Sequence, residues 1–176
     1  STGGGVFVFE TISLGSLAES LKLHQEGDRH LISLVGGGGK TTLLHALGNQ
    51  LLGRTVLTTT TKMGSDQSNG LRTLIKPDAD EIRSIQQQET VMIWEKIAGQ
   101  KAIGLEKQIC DQWFSHVDHM VVEADGSRRK PFKAPADYEP VIPSKTTMMI
   151  SVIGADALGR VIADQCHRPL RVAAIA

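Results

Sequence analysis

The sequence predicts one α/β domain built on a mostly parallel sheet flanked by helices. Three observations predict it. Short apolar runs rich in β-branched residues alternate along the chain with stretches of helical periodicity. One of those runs feeds directly into four consecutive glycines that open onto a helix-like stretch. The chain has 176 residues, 40% of them hydrophobic, which suits a single domain with one sizeable core.

The elements follow in order. Ser1 to Gly5 reads as a linker or cloning scar, leaving residues 6–176 as the domain. Leu14, Leu17, Ala18 and Leu21 recur at helical spacing behind Ser13, an N-cap residue type. Residues 31–35, Leu-Ile-Ser-Leu-Val, form a strand that runs into Gly36. Leu43, Leu44, Leu47 and Leu51 then place an apolar stripe on a helix, with Gly53 as its expected stop. Residues 56–60 are the next strand, and Asp78 with Glu81 predicts a capping box for a helix over 79–88. Residues 91–94 predict a strand, 105–116 a helix, and 119–123 a strand ending in carboxylates. Residues 146–153 form a last apolar run, ended by Gly154. Between these last two strands, Asp125 to Pro143 is a long loop dense in proline and charge, the kind that is commonly functional. The apolar ending, residues 171–176, predicts a chain whose C-terminal part is missing, because termini normally fray into water.

Composition removes several classes of function. Nineteen Lys and Arg balance nineteen Asp and Glu, so no global field draws the chain to nucleic acid or to an anionic membrane. Aromatic residues are 4%, too few for a protein that stacks on single-stranded bases. Two distant cysteines, Cys110 and Cys166, make no disulfide framework, and no signal-peptide or membrane-spanning pattern occurs. The expectation is a cytoplasmic protein with a small-molecule ligand.

The ligand class comes from Gly36-Gly37-Gly38-Gly39-Lys40-Thr41-Thr42, set between a strand and a helix. Phosphate binding needs backbone N–H groups aimed at an anion with no Cβ in the way, which consecutive glycines permit. The helix N-terminus adds partial positive charge, Lys40 reaches β- and γ-phosphate oxygens, and Thr41 ligates Mg²⁺. The spacing departs from G-x-x-x-x-G-K-[ST], whose first glycine would fall at Leu34. It fits G-x-x-G-K-T-T, which resembles the nucleotide loop of the Mur-type ligases. The fold expected is therefore P-loop NTPase-like.

Such a site needs a carboxylate at the end of a neighbouring strand. Glu123 is expected as the nearer Mg²⁺ ligand. Asp125, at i+2 and so on the same side of a continuing strand, is expected as second ligand or water-orienting group. The hydroxyl run from Thr58 to Thr61 stands at the sheet edge where ligands bind in open α/β folds. Thr60 or Thr61 there either touches the metal or γ-phosphate or is β-branched strand filler. Arg128, Arg129, Lys130 and Lys133 are either a phosphate clamp or a solvated face. Lys130 and Lys133 are the two expected to meet phosphate or substrate. Cys166 beside His167 reads as a buried cysteine with a satisfied histidine rather than a metal site.

Three stretches together resemble one family: residues 31–42, Leu57 to Lys62, and Val121 to Pro143 with its Glu-Ala-Asp-Gly-Ser and Pro-Phe-Lys-Ala-Pro segments. They resemble the YqeC family, described as accessory proteins of selenium-dependent molybdenum hydroxylases. Gly154-Ala155-Asp156-Ala157-Leu158-Gly159 and His167-Arg168-Pro169 fit it too. The resemblance implies a P-loop protein in maturation or cofactor delivery for such an enzyme, which would be its partner, and a family longer than this chain. The function expected is Mg·ATP or Mg·GTP binding with hydrolysis, in which Lys40, Glu123 and Asp125 carry the chemistry. A nucleotide-binding chaperone or sensor without turnover, and an ATP-dependent ligase or kinase, are the alternatives. No N/T-K-x-D guanine signature occurs, so the base stays open.

Overall fold

The computed structural model describes residues 11–126 and 140–154, together with the backbone of 132–133 and 166–167. The expectations for residues 1–5, for the side chains of Arg128, Arg129, Lys130, Lys133, Cys166 and His167, for 155–159 and 168–169, and for the C-terminal run lie outside the described residues.

Six strands form one sheet in the order β10-β1-β8-β2-β5-β4: Met148–Val152, His30–Gly36, His119–Glu123, Thr55–Thr59, Thr90–Trp94 and Arg72–Ile75. Every neighbouring pair is parallel, as expected of strands separated by helical crossovers. Consecutive residues of a strand point to opposite faces, and this divides the core in two. Ile32, Leu34, Leu57, Met92 and Val121 pack beneath Leu44 and Leu47 of α2 (Lys40–Gln50). Leu31, Val56, Val91, Met120 and Val122 face Ile82 of α3 (Ala79–Arg83) and Cys110, Trp113 and Phe114 of α4 (Lys107–Phe114). Helices thus cover both faces of the sheet. Among the described residues, no helix is long and apolar enough to cross a membrane.

All four expected helices are shorter than their patterns, α4 by two residues at either end. At the N-terminus, Ser13 does cap, accepting from the Gly15 amide at 3.3 Å, but the turn over Leu14–Ser16 is a 3₁₀ turn. It leads into a single α-helical turn, α1 (Leu17–Ser20), closed by Lys22 in left-handed conformation at φ 58°. The Asp78–Glu81 capping box forms with both reciprocal hydrogen bonds. Yet α3 stops at Arg83, because the Ser84 hydroxyl bonds back to the Glu81 carbonyl at 2.6 Å and Glu89 captures the Gln86 amide at 2.8 Å. The remaining case is α2: its C-cap is Leu51, already extended, while Gly53 turns two residues later against the Asp118 carboxylate.

A small antiparallel sheet, in the order β3-β7-β6, was not expected: Lys62–Gly64, Lys101–Ile103 and Lys96–Ala98. It stands beside the C-terminal ends of the parallel strands, because β3 follows β2 after only two residues. A short parallel pair, β9 (Phe132–Lys133) and β11 (Cys166–His167), sets Lys133 opposite His167 in register.

Candidate phosphate-binding site

The site is assembled where β1, β8 and β2 end. Register places Leu34 beside Glu123, Glu123 beside Thr59, and Gly36 beside Val152. Beyond β1 the chain must turn sharply into α2 while passing close to β10. Gly36 does this at φ +105°, and a Cβ there would lie 2.3 Å from the Val152 carbonyl oxygen. The Gly37 amide in turn donates to that oxygen at 2.7 Å. Gly39, at φ +99°, is the N-cap of α2 and provides no side-chain cap, so the first-turn amides keep their donor capacity for an anion.

Lys40 lies folded under the loop. Its ammonium donates to the Gly36 carbonyl at 2.6 Å and the Gly37 carbonyl at 3.2 Å, and stands 3.1 Å from Asp125 Oδ1. Asp125 Oδ2 accepts the Gly36 amide at 2.9 Å. Both side chains are buried, at 2% and 3% exposure. The strand ladder ends at Glu123 and Asp125 sits in a bend, so the same-side relation expected for the two carboxylates does not arise. Asp125 is turned beneath the loop, and Glu123 lines the cleft.

The Thr41 hydroxyl donates to Glu123 Oε2 at 3.4 Å. Two cis oxygens of an octahedral Mg²⁺ shell at 2.1 Å stand about 3.0 Å apart, so this pair needs to close by only about 0.4 Å to share an ion. Among the described residues no group of three His, Cys, Asp or Glu gathers.

The cleft above the loop has a volume of about 280 Å³. Gly37, Gly38, Gly39, Lys40, Thr41 and Thr42 form one wall. Lys62 and Lys101, from the antiparallel sheet, stand on the lining with Glu123 and Gly126. Sequence reasoning missed both lysines. The signal for Lys101 was present: Lys96-Ile97-Ala98 and Lys101-Ala102-Ile103 flank Gly99-Gln100, a two-residue hairpin turn with Gly99 at φ +61°. Thr60 is placed differently from the metal or γ-phosphate contact weighed for it. Its hydroxyl donates to the Val141 carbonyl at 2.6 Å and so anchors the return of the chain toward β10. The Thr59 hydroxyl donates to the Glu123 carbonyl at 2.7 Å, fixing the strand end that carries the carboxylate.

A parallel six-stranded sheet with helices on both faces defines an α/β protein, and the glycine loop after one strand with a buried lysine behind it is consistent with a P-loop NTPase-like fold. The family model described as YqeC protein matches residues 32–170, and the chain belongs to that family. It is 33% identical over 147 residues to the Escherichia coli (strain K12) protein named "Uncharacterized protein YqeC". That match covers 78% of this chain and 57% of the relative, so the chain spans little more than half the length of that protein. No solved structure matches.

Proposed function

We propose that the chain binds a Mg²⁺-nucleoside polyphosphate on the loop of residues 36–42 and hydrolyses its terminal phosphate. The observation that supports this best is the buried Lys40 held by Gly36, Gly37 and Asp125 beneath an uncapped helix N-terminus. The ammonium's three protons serve Gly36, Gly37 and Asp125, so in this reading an arriving phosphate takes the place of one of those partners. In this reading the amides of α2 and Lys40 hold the phosphates, Thr41 and Glu123 hold Mg²⁺, and Asp125 positions both loop and lysine. Lys62 and Lys101 add positive charge across the cleft. Bound Mg²⁺ would neutralise charge developing on the terminal phosphate.

A second reading, binding without turnover, has its own support: among the described residues lining the cleft, Glu123 is the only carboxylate. A residue already engaged with a metal is poorly placed to orient water as well. In the cell, either activity would serve an accessory role for a selenium-dependent molybdenum hydroxylase or its cofactor, a proposal that rests on the family resemblance alone.

A thermal-shift screen of ATP, GTP and their diphosphates with Mg²⁺ tests binding, since a ligand held only by the folded state raises its melting temperature. Phosphate release above background, lost in Lys40→Ala, supports hydrolysis. Binding without release supports the second reading, and the absence of any shift overturns both.

A further inference from the structure

We propose that the groove along the outer face of α2 receives the nucleoside part of the nucleotide whose phosphates sit on the glycine loop. The inference rests on the reading above and extends it to the neutral half of the ligand. The phosphate cleft, at about 280 Å³, falls below the roughly 300–1,000 Å³ of sites that enclose a whole small molecule. An open surface groove of about 840 Å³ adjoins it and shares Thr41, Thr42 and Gln67 with it.

Charge separates the two spaces. The cleft is lined by Lys40, Lys62 and Lys101, whereas the groove has no Lys or Arg among its lining residues and carries neutral amides and Asp66. A ligand spanning both has a polyanionic tail and an uncharged body rich in hydrogen-bonding groups, which describes a nucleoside polyphosphate. Length agrees as well. From Thr42 to Asn49 the helix rises about 10 Å, a span that a sugar and a base fill.

The groove is also preformed, because α2 holds both of its walls. His45 Nε2 donates to the Gln67 carbonyl at 2.7 Å and fixes the 3₁₀ turn over Ser65–Ser68. On the other side Gln50 donates to the Leu14 carbonyl at 2.7 Å and accepts the Ala18 amide at 2.9 Å. Between the walls, the side-chain amides of Asn49 and Asn69 have no hydrogen-bond partner among the described residues. They are exposed donors and acceptors at the height where the sugar and base would lie.

The test compares Mg·tripolyphosphate with Mg·ATP and Mg·GTP by calorimetric titration of the wild type, Asn49→Trp, Asn49→Ala and Lys40→Ala, each first checked for an intact melting transition. The wild type binds at least one nucleotide about tenfold or more tighter than tripolyphosphate. Asn49→Trp, which fills the groove, removes that advantage and leaves tripolyphosphate affinity unchanged, and Asn49→Ala removes part of it. Lys40→Ala loses both ligands. Equal affinity of the wild type for nucleotide and tripolyphosphate, or nucleotide affinity unmoved in both Asn49 variants, overturns the inference while the phosphate site stands. Failure of tripolyphosphate and nucleotide alike to bind the wild type overturns the phosphate site, and the inference with it.

Discussion

Asp125→Ala is expected to destabilise the protein more than the loss of any one exposed carboxylate would. The substitution removes the counter-charge of a lysine that is 2% exposed and 3.1 Å from the carboxylate it loses, leaving it only the Gly36 and Gly37 carbonyls. At an effective dielectric constant of about 20, charges at that separation attract with roughly 5 kcal/mol. Desolvation of both groups offsets most of that attraction in the intact pair. Removing one partner leaves the desolvation cost of the other uncompensated, about 3–5 kcal/mol. For a chain of this size, each kcal/mol lowers the melting temperature by about 2–4 °C, so the expected fall is about 6–20 °C. Lys40→Met should cost a comparable amount for the mirror-image reason, and the double variant should be less destabilised than the sum by about 1–3 kcal/mol. Urea melts of the four proteins provide the cycle. Additive effects, or an Asp125→Ala melting temperature within about 2 °C of wild type, would refute the assignment of this pair as the foundation of the loop.

Four further outcomes are expected. Gly36→Ala should lower the melting temperature and abolish polyphosphate binding, because its Cβ would stand 2.3 Å from the Val152 carbonyl oxygen at a φ that itself costs about 1–3 kcal/mol; a variant that melts and binds like wild type would contradict the turn. Glu123→Ala should leave stability within about 1 kcal/mol of wild type while removing the Mg²⁺ dependence of binding, read by titrations with and without the ion. Burial of His119, reinforced by the neighbouring His30 ring at 5.8 Å, lowers its pKa below 6.5, so the folded state favours the neutral ring. The unfolded chain then binds the proton more readily, and stability should be full above pH 6.5 and decline as pH falls below it, a slope that His119→Gln should flatten. Burial, with Asp111 adding to it, pushes the Cys110 thiol up to about 12, so a thiol reagent at pH 8 should label it only as fast as the protein opens.

Much of the fold was legible because the parallel strands carry their signal locally. Residues 31–35, 91–94 and 119–123 are short runs dominated by apolar or β-branched residues, and all three are strands within a residue or two. What the sequence hid depends on contacts between distant residues. Arg72–Ile75 joins the sheet edge only by pairing with β5, and its half-exposed pattern marks no face strongly. The length of α3 turns on which acceptor Ser84 finds, a choice that helical periodicity does not encode.

The site divides in the same way. Glycine loop, lysine and threonines lie within seven consecutive residues, so their chemistry could be read from composition and order. The roles of Glu123 and Asp125 separate only because the strand ends between them. That ending is set by the bend toward Gly36, 89 positions earlier in the chain. Lys62 and Lys101 meet the loop through the pairing of β3 with β7, which two isolated three-residue segments do not announce.

The central claim is that residues 36–42 cradle a polyphosphate over Lys40. Phosphorus NMR of Mg·ATP and Mg·GTP titrated with the wild type and with Lys40→Ala reads the phosphates themselves. The account predicts broadened or shifted β- and γ-phosphate resonances for at least one nucleotide with the wild type, and unperturbed resonances with Lys40→Ala. Identical spectra with the two proteins would contradict it.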